Sequence, residues 1–239
     1  MGEMLLGAHS IIEMLKAKKR KLLSIYTTKP VPRSWDRIAP YLPKHVSNIQ
    51  YVDRSILDRM AGTPDHNGII AWVTPFKYAS KVFDPAKKRF ILVLDSIQDV
   101  RNAGAILRSA YCTGVDGVVM CRCNAAPLLP AVFKASAGLA EHLDIYQATS
   151  LKQALMELKQ AGYHLYMAML KGDNAATVTY EQPLCLVIGN EASGISSDVA
   201  KMGQAVTLPQ RTPDISYNAS VAAGILMFVI AQQTAQFKK

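Results

Sequence analysis

The sequence predicts an α/β protein whose larger part is a mostly parallel sheet covered by helices on both faces. Three observations carry this. From Phe90 onward, short apolar runs alternate with amphipathic stretches, and repeated strand–helix units build parallel sheets. FILVLD and PLCLVI are unbroken apolar runs, as expected for strands buried on both sides. Half of the 239 residues are apolar, enough to bury a sizeable core.

Residues 1–76 have a different texture and read as a small α/β domain of their own. Ser10 and Glu13 form a capping box opening the helix IIEMLKAKKR. LLSIYTT is a strand, and a Pro-punctuated stretch runs from Pro30 to Pro43. NIQYV is a strand, Asp53 caps the helix RSILDRMAG, and GIIAWVTP is a final strand. Residues 77–89 carry several charges and little apolar periodicity, so they read as a linker.

Residues 90–239 form the larger domain. FILVLD is a buried strand. NAGAILRSAYCTG is a helix with Asn102 as its N-cap, stopping at Gly114. VDGVVMC is a strand, and PLLPAVFKASAG a helix with Pro127 or Pro130 in its first turn. LDIYQA is a strand. Ser150 caps LKQALMELKQAG, where Leu151, Ala154, Leu155 and Leu158 make one apolar face. YHLYMAML, PLCLVIGN and QAVTLPQ are strands, and SYNASVAAGILMFVIAQQTAQF is a closing, buried helix. In such sheets ligands bind at the carboxyl ends of strands, so chemistry is expected in the loops after Asp95, Gly189 and Pro209.

The chain carries 27 basic against 18 acidic residues, a formal +9. That excess favours a polyanion such as nucleic acid, or an acidic membrane surface. A merely soluble basic enzyme is the alternative. Cys112, Cys121, Cys123 and Cys185 form no CxxC pair, the five histidines show no ligand spacing, and no metal is expected. Reduced thiols suit a cytoplasmic protein. The N-terminus places its charges after its apolar residues, unlike a signal peptide. The longest apolar run, ASVAAGILMFVIA, is too short to span a bilayer, so no membrane association is expected.

Four stretches could carry chemistry. In DSIQDVRNAGAILRSA, Arg101 and Arg108 lie seven residues apart on one helical face, which suits phosphate or ribose. A solvated basic face is the alternative. No GxGxxG is present, which argues against a nicotinamide cofactor. GNEASGIS imitates a phosphate loop, but Ile195 stands where the lysine belongs and Glu191 would repel phosphates. Triphosphate hydrolysis is therefore disfavoured. Its backbone could instead bind a purine edge or ribose, or simply turn from strand to helix. In LPQRTPDISYNASVAAGI, Pro209 and Pro213 make an irregular loop, and Ser216 and Asn218 begin a helix, either for binding or for capping. KAKKRK, with Lys18, Lys19 and Arg20, either contacts RNA phosphates or complements a helix terminus.

Together, three of these stretches resemble the motifs of the SpoU (TrmH-like) family of RNA ribose 2'-O-methyltransferases in the SPOUT superfamily. RNAGAILRSA matches the first through Asn102, Gly104 and Arg108. VIGNEASGI matches the second through Gly189, Asn190, Glu191 and Gly194. LPQRTPDISYNASVAAGI matches the third through Pro209, Ser216, Asn218 and Ser220. The N-terminal region is similar to the substrate-binding domain, ribosomal-protein-like in fold, of bacterial 23S rRNA guanosine 2'-O-methyltransferases. The resemblance implies a deep trefoil knot in the C-terminal domain, S-adenosylmethionine as cofactor, and a homodimer whose subunits complete each site together. It implies that Arg108, Asn102, Glu191, Ser216 and Asn218 serve catalysis. Gly189, Leu208 and Tyr217 would line the cofactor pocket. Glu191 would hold Arg108 or order its loop, and Lys18, Lys19, Arg20 and Arg101 would contact RNA. The implied target is a guanosine in large-subunit ribosomal RNA. A tRNA ribose is the alternative target, and a non-catalytic RNA-binding protein of the same fold the alternative class. Val100, Gln210, Thr212 and Tyr217 depart from the family's usual Pro, Met, Gly and Leu. These departures bear on cofactor affinity and substrate identity more than on reaction type.

Overall fold

A strand not expected from the sequence, β1 (Glu3–Leu6), begins the ordered chain. It runs directly into α1 (Gly7–Ala17) and is followed by β2 (Leu22–Thr27), the short α2 (Trp35–Ile38), β3 (Ile49–Tyr51), α3 (Arg54–Ala61) and β4 (Ile69–Val73). Then come β5 (Phe90–Leu94), α4 (Val100–Cys112), β6 (Gly117–Cys121), α5 (Pro130–Ala135), β7 (Ile145–Ala148) and α6 (Leu151–Gln160). β8 (His164–Asn174), β9 (Leu184–Ile188), β10 (Gln204–Thr207) and α7 (Ala219–Gln233) complete the order. The computed structural model describes residues 2–44, 48–212 and 215–237. It divides into two units, Met1–Lys77 with Leu128–His142, and Tyr78–Pro127 with Leu143–Lys239.

The first unit holds a four-stranded sheet in the order β1-β4-β2-β3, parallel between β2 and β3 and antiparallel elsewhere. The expected capping box at Ser10 does not form. β1 passes straight into α1 through Gly7, at φ +76°, so Ser10 lies buried inside the helix. Glu13 bonds Lys16 and His142 instead. Asp53 stands at the N-cap of α3, but its side chain makes no cap bond.

Arg20 departs most from expectation. Proposed from the sequence as an RNA contact, its side chain is only 1% exposed and pins the unit together. The guanidinium donates to Glu141 Oε1 at 2.9 Å, to Glu3 Oε2 at 2.6 Å and to the Thr74 carbonyl at 2.7 Å. It also lies 5.3 Å from the Phe133 ring centroid and 6.0 Å from that of Phe76. Glu141 and Phe133 belong to the Leu128–His142 segment, which packs here although β6 and β7 of the other unit flank it in sequence. Its helix α5 starts with Pro130 in the first turn, where a missing N–H costs nothing.

The second unit is a six-stranded sheet in the order β10-β8-β9-β5-β6-β7, with every neighbouring pair parallel. All residues of β5 and β9 are buried, which explains their unbroken apolar sequences. Ser150 caps α6 by accepting from the Gln153 N–H, and Leu151, Ala154, Leu155 and Leu158 are its buried face, both as expected. The pairing of β8 with β10 jumps from Met167↔Ala205 to Asp173↔Val206, so residues 168–172 leave the ladder. Gly172 returns the strand against β10; a Cβ there would stand 2.6 Å from the Ala205 carbonyl carbon.

Two helices differ from expectation. α4 is capped by Asp99, whose Oδ1 accepts from the N–H groups of Arg101 and Asn102 at 2.8 Å, and not by Asn102. α7 is only half-buried: Ala223, Met227 and Ile230 face inward, while Val221, Ile225 and Phe228 are 49%, 39% and 52% exposed. The helix is apolar on every side, so its sequence does not mark the face left exposed. Among the described residues, no helix is long and apolar enough to cross a membrane.

Candidate active site at the carboxyl edge of the parallel sheet

Parallel strands bring all their carboxyl ends to one edge, and there the loops after β5, β9 and β10 meet. The loop after β9 folds back on itself through paired backbone bonds between Asn190 and Gly194, at 3.0 and 2.9 Å. Gly194 has φ +69°, a conformation that disfavours any side chain. Gly189 lies so close to it that a Cβ would stand 2.2 Å from the Gly194 carbonyl carbon.

Two pins hold this loop to the end of β5. Asp95 is buried, and its Oδ2 accepts from the backbone N–H and the hydroxyl of Ser196 at 2.7 and 2.6 Å. Asn190 Nδ2 donates to the carbonyl of Ser96 at 2.7 Å, while Asn190 Oδ1 accepts from the Ala192 N–H. Ser96 itself adopts φ +59°. Asp95, Ser96, Asn190 and Ser196 thus shape the site, yet none was assigned a role from sequence. The available signal was a carboxylate directly after a wholly apolar strand, where it must find donors.

A side-chain relay joins the three loops. Asn218 Nδ2 donates to Asn102 Oδ1 at 3.2 Å, and Asn102 Nδ2 donates to Glu191 Oε1 at 2.6 Å. Asn218 Oδ1 accepts from the Ser220 N–H and hydroxyl, capping α7. Because Asp99 caps α4, the Asn102 amide is free for this relay. Glu191 therefore bonds Asn102; it forms no ion pair with Arg108 among the described residues. Arg101 and Arg108 are both exposed on α4, and neither guanidinium has a hydrogen-bond partner among the described residues.

Beside the relay lies a cavity of about 650 Å³. Gly189, Leu208 and Tyr217, expected to share a pocket, all line it, and so does Ser216. Much of its wall is the 189–195 loop and the 168–171 part of the β8 excursion. Thr207 Oγ1 holds that excursion by donating to the Leu170 carbonyl at 3.1 Å. Among the described residues, Lys171 and Glu191 are the charged side chains on the wall. Gln210 donates to the Thr212 carbonyl at 2.7 Å, so these two departures from the family pattern brace their own loop. Pro213 lies outside the described residues. No cluster suited to a metal ion occurs among the described residues. In the other unit, Lys18 and Lys19 are exposed, and Lys19 Nζ donates to the His142 carbonyl at 2.9 Å.

Comparison with known proteins agrees with this architecture. Residues 89–228 match the model of the SpoU rRNA Methylase family, and residues 4–79 match that of RNA 2'-O ribose methyltransferase substrate binding. A Bacillus subtilis protein, named for the TrmH family of tRNA/rRNA methyltransferases, is 32% identical over 234 residues, covering 94% of this chain and 93% of its own. A Staphylococcus aureus protein of the same family name is 34% identical over 194 residues, 76% of each chain. Among solved structures, an AdoMet-bound rRNA methyltransferase from Sinorhizobium meliloti superposes with a TM-score of 0.79 at 19% identity, over 97% of this chain and 87% of that one. A SpoU methyltransferase from Streptomyces viridochromogenes in complex with AdoMet gives 0.79 at 18%, over 97% and 90%. Those two likenesses concern the fold; the family models and the two relatives in sequence show that this chain belongs to the SpoU rRNA methylase family of RNA methyltransferases.

Proposed function

We propose that the protein transfers a methyl group from S-adenosylmethionine to a ribose 2'-hydroxyl of RNA. The observation that carries this is the Asn218–Asn102–Glu191 relay beside a cavity lined by the loop after β9. The cavity suits a nucleoside cofactor in size. Its two charged wall residues, Glu191 and Lys171, complement a ligand bearing both a sulfonium and a carboxylate. Gly189, Leu208 and Tyr217 would hold the cofactor, which when bound supplies an electrophilic methyl. Asn102, Glu191 and Asn218 fix the three loops against one another. Ser216, on the cavity wall, would orient the incoming ribose.

Arg108 is the cation for the developing charge on the ribose oxygen. Arginine stays protonated in proteins, so its part is to stabilise and position rather than to accept the proton. Arg101, Lys18 and Lys19 would contact RNA phosphates. A guanosine in large-subunit ribosomal RNA is the target we favour, on the resemblance of the N-terminal region; the substrate-binding match over residues 4–79 supports an RNA ribose as the acceptor. Functionally, an RNA-binding region at 1–76 is joined by residues 77–89 to a catalytic region at 90–239. In the same reading, the chain after β9 is threaded as a trefoil knot, and the enzyme works in the reducing cytoplasm. The family match over residues 89–228 supports the knot, and four free cysteines suit that compartment.

The assay is transfer of labelled methyl from S-adenosylmethionine to total RNA, followed by separation of ribosomal and transfer RNA. Label in the ribosomal fraction is expected. Label in tRNA alone would overturn the target, and no label in any RNA from folded protein would overturn catalysis. Asp95→Ala is expected to raise KM for S-adenosylmethionine more than it lowers kcat. It removes the oxygen that accepts both Ser196 donors, and a hydrogen bond to a charged group is worth about 1.5–3 kcal/mol. Equal KM in steady-state kinetics would show that the pin is not needed to shape the pocket.

We further propose a homodimer. Val221, Ile225 and Phe228 lie at i, i+4 and i+7, one exposed apolar stripe on α7, and Phe237 continues it 5.6 Å from the Phe228 ring. Phe228→Glu is expected to turn a dimer into a monomer in sedimentation velocity. A monomeric wild type, or an unchanged variant, would overturn this.

A further inference from the structure

The first unit has a groove of about 390 Å³ at the end of α1. Lys18, Lys21, Tyr41, Pro43, Leu15 and Leu22 line it. Among the described residues, no acidic side chain lines it. Arg20 also reaches it, but the Arg20 guanidinium is committed to Glu3, Glu141 and Thr74. Lys18 ends α1 in the left-handed conformation, at φ 55°, which turns the chain at the helix terminus. Lys18 and Lys21 are exposed and have no ion pair among the described residues. Tyr41 is 45% exposed, and its hydroxyl has no hydrogen bond among the described residues. Lys16 Nζ lies 5.2 Å from the Tyr41 ring centroid, a cation against the ring.

We propose that this groove binds single-stranded RNA, with one unpaired base stacked on Tyr41 and the adjoining phosphates held by Lys18 and Lys21. An aromatic face beside unpaired cations is the arrangement that takes a splayed base. Paired bases in an A-form helix present no free face, so a duplex would engage the lysines alone. The proposal rests on the reading that the protein acts on RNA. It adds a specific recognition point, for an unpaired nucleotide remote in sequence from the catalytic loops. Lys19, beside the groove in sequence, is not needed for it.

The test is fluorescence anisotropy of the full-length protein with a short labelled oligoadenylate and with a duplex RNA of equal charge. Tyr41→Ala is expected to weaken oligoadenylate binding about tenfold, leave duplex binding unchanged, and leave the melting temperature unchanged. Tyr41→Phe should bind as the wild type. Lys18→Ala and Lys21→Ala should each flatten the salt dependence of oligoadenylate binding by about 0.7 in log–log slope. Unchanged oligoadenylate binding by Tyr41→Ala, or equal losses on both RNAs, would overturn the proposal. So would displacement of the oligoadenylate by polyglutamate from wild type and Tyr41→Ala alike. The labelled-methyl assay keeps the two readings apart. Tyr41-dependent binding without methyl transfer would sink catalysis and leave the groove. Methyl transfer with an RNA KM untouched by Tyr41→Ala would sink the groove and leave catalysis.

Discussion

Arg108→Ala will abolish methyl transfer while S-adenosylmethionine binding survives. Arg108 projects from α4, outside the lining of the cavity, so its loss removes no cofactor contact. Its guanidinium is exposed and has no hydrogen bond or ion pair among the described residues, so it is not needed to hold the fold. No histidine lies in the three loops, so a developing oxyanion must be met by a cation, and of Arg101, Arg108 and Arg211 it is Arg108 that matches the family's motif. Losing one preorganised donor to such a charge costs about 100- to 1,000-fold in kcat. The check is single-turnover transfer to RNA alongside calorimetric titration of the cofactor. Arg108→Lys should recover only part of the rate, because a point charge replaces a planar fork. Near-normal turnover of Arg108→Ala would remove Arg108 from the chemistry.

Arg20→Ala will have the largest effect on stability, about 3–5 kcal/mol, the range for breaking a buried ion pair by removing one partner. It strands Glu141, a carboxylate with no exposed surface, and frees the ring faces of Phe76 and Phe133. Burial pushes the Glu141 carboxyl up to about 7, against the downward pull of the Arg20 guanidinium. The folded state therefore keeps this proton over the range in which the unfolded chain has lost it. Its contribution to stability is fully present below the ordinary value of 4.5 and falls as pH rises to about 7. Above that, Glu141 is ionised in the fold and depends on Arg20. The loss caused by Arg20→Ala should therefore be larger at high pH than at low pH. Urea unfolding on both sides of neutrality checks this, and Glu141→Gln in the Arg20→Ala background should remove the pH dependence. A loss independent of pH would mean that Arg20 acts through packing alone.

These two arginines show where sequence reading succeeds and where it stops. Arg108 lies in one of the three family motifs, so its place on a helix following β5 was legible. Arg20 lies in KAKKRK, where five of six residues are basic and nothing local tells them apart. Only the return of Leu128–His142, more than a hundred residues later, supplies the glutamate and ring that bury it. The same limit applies to capping. Ser10 and Asn102 are good cap residues by type, but β1 feeds α1 from Gly7, and Asp99 reaches the first free N–H groups of α4 before Asn102 can. Ser150 and Asn218 did cap their helices, because in each the chain turns directly from an extended segment into the helix at that residue.

By itself, the sequence determined the α/β class, the parallel strands from β5 onward, the three loops and their family. These follow from local signals: unbroken apolar runs, helical spacing, and short motifs in a set order. Tertiary structure alone decided that Glu191 bonds Asn102, that Asp95 anchors the loop after β9, and that α7 leaves an apolar stripe uncovered. Each of those depends on which strand lies beside which. With β9 set between β5 and β8, residues 95 and 196 come within one hydrogen bond, a proximity that no local pattern along the chain encodes.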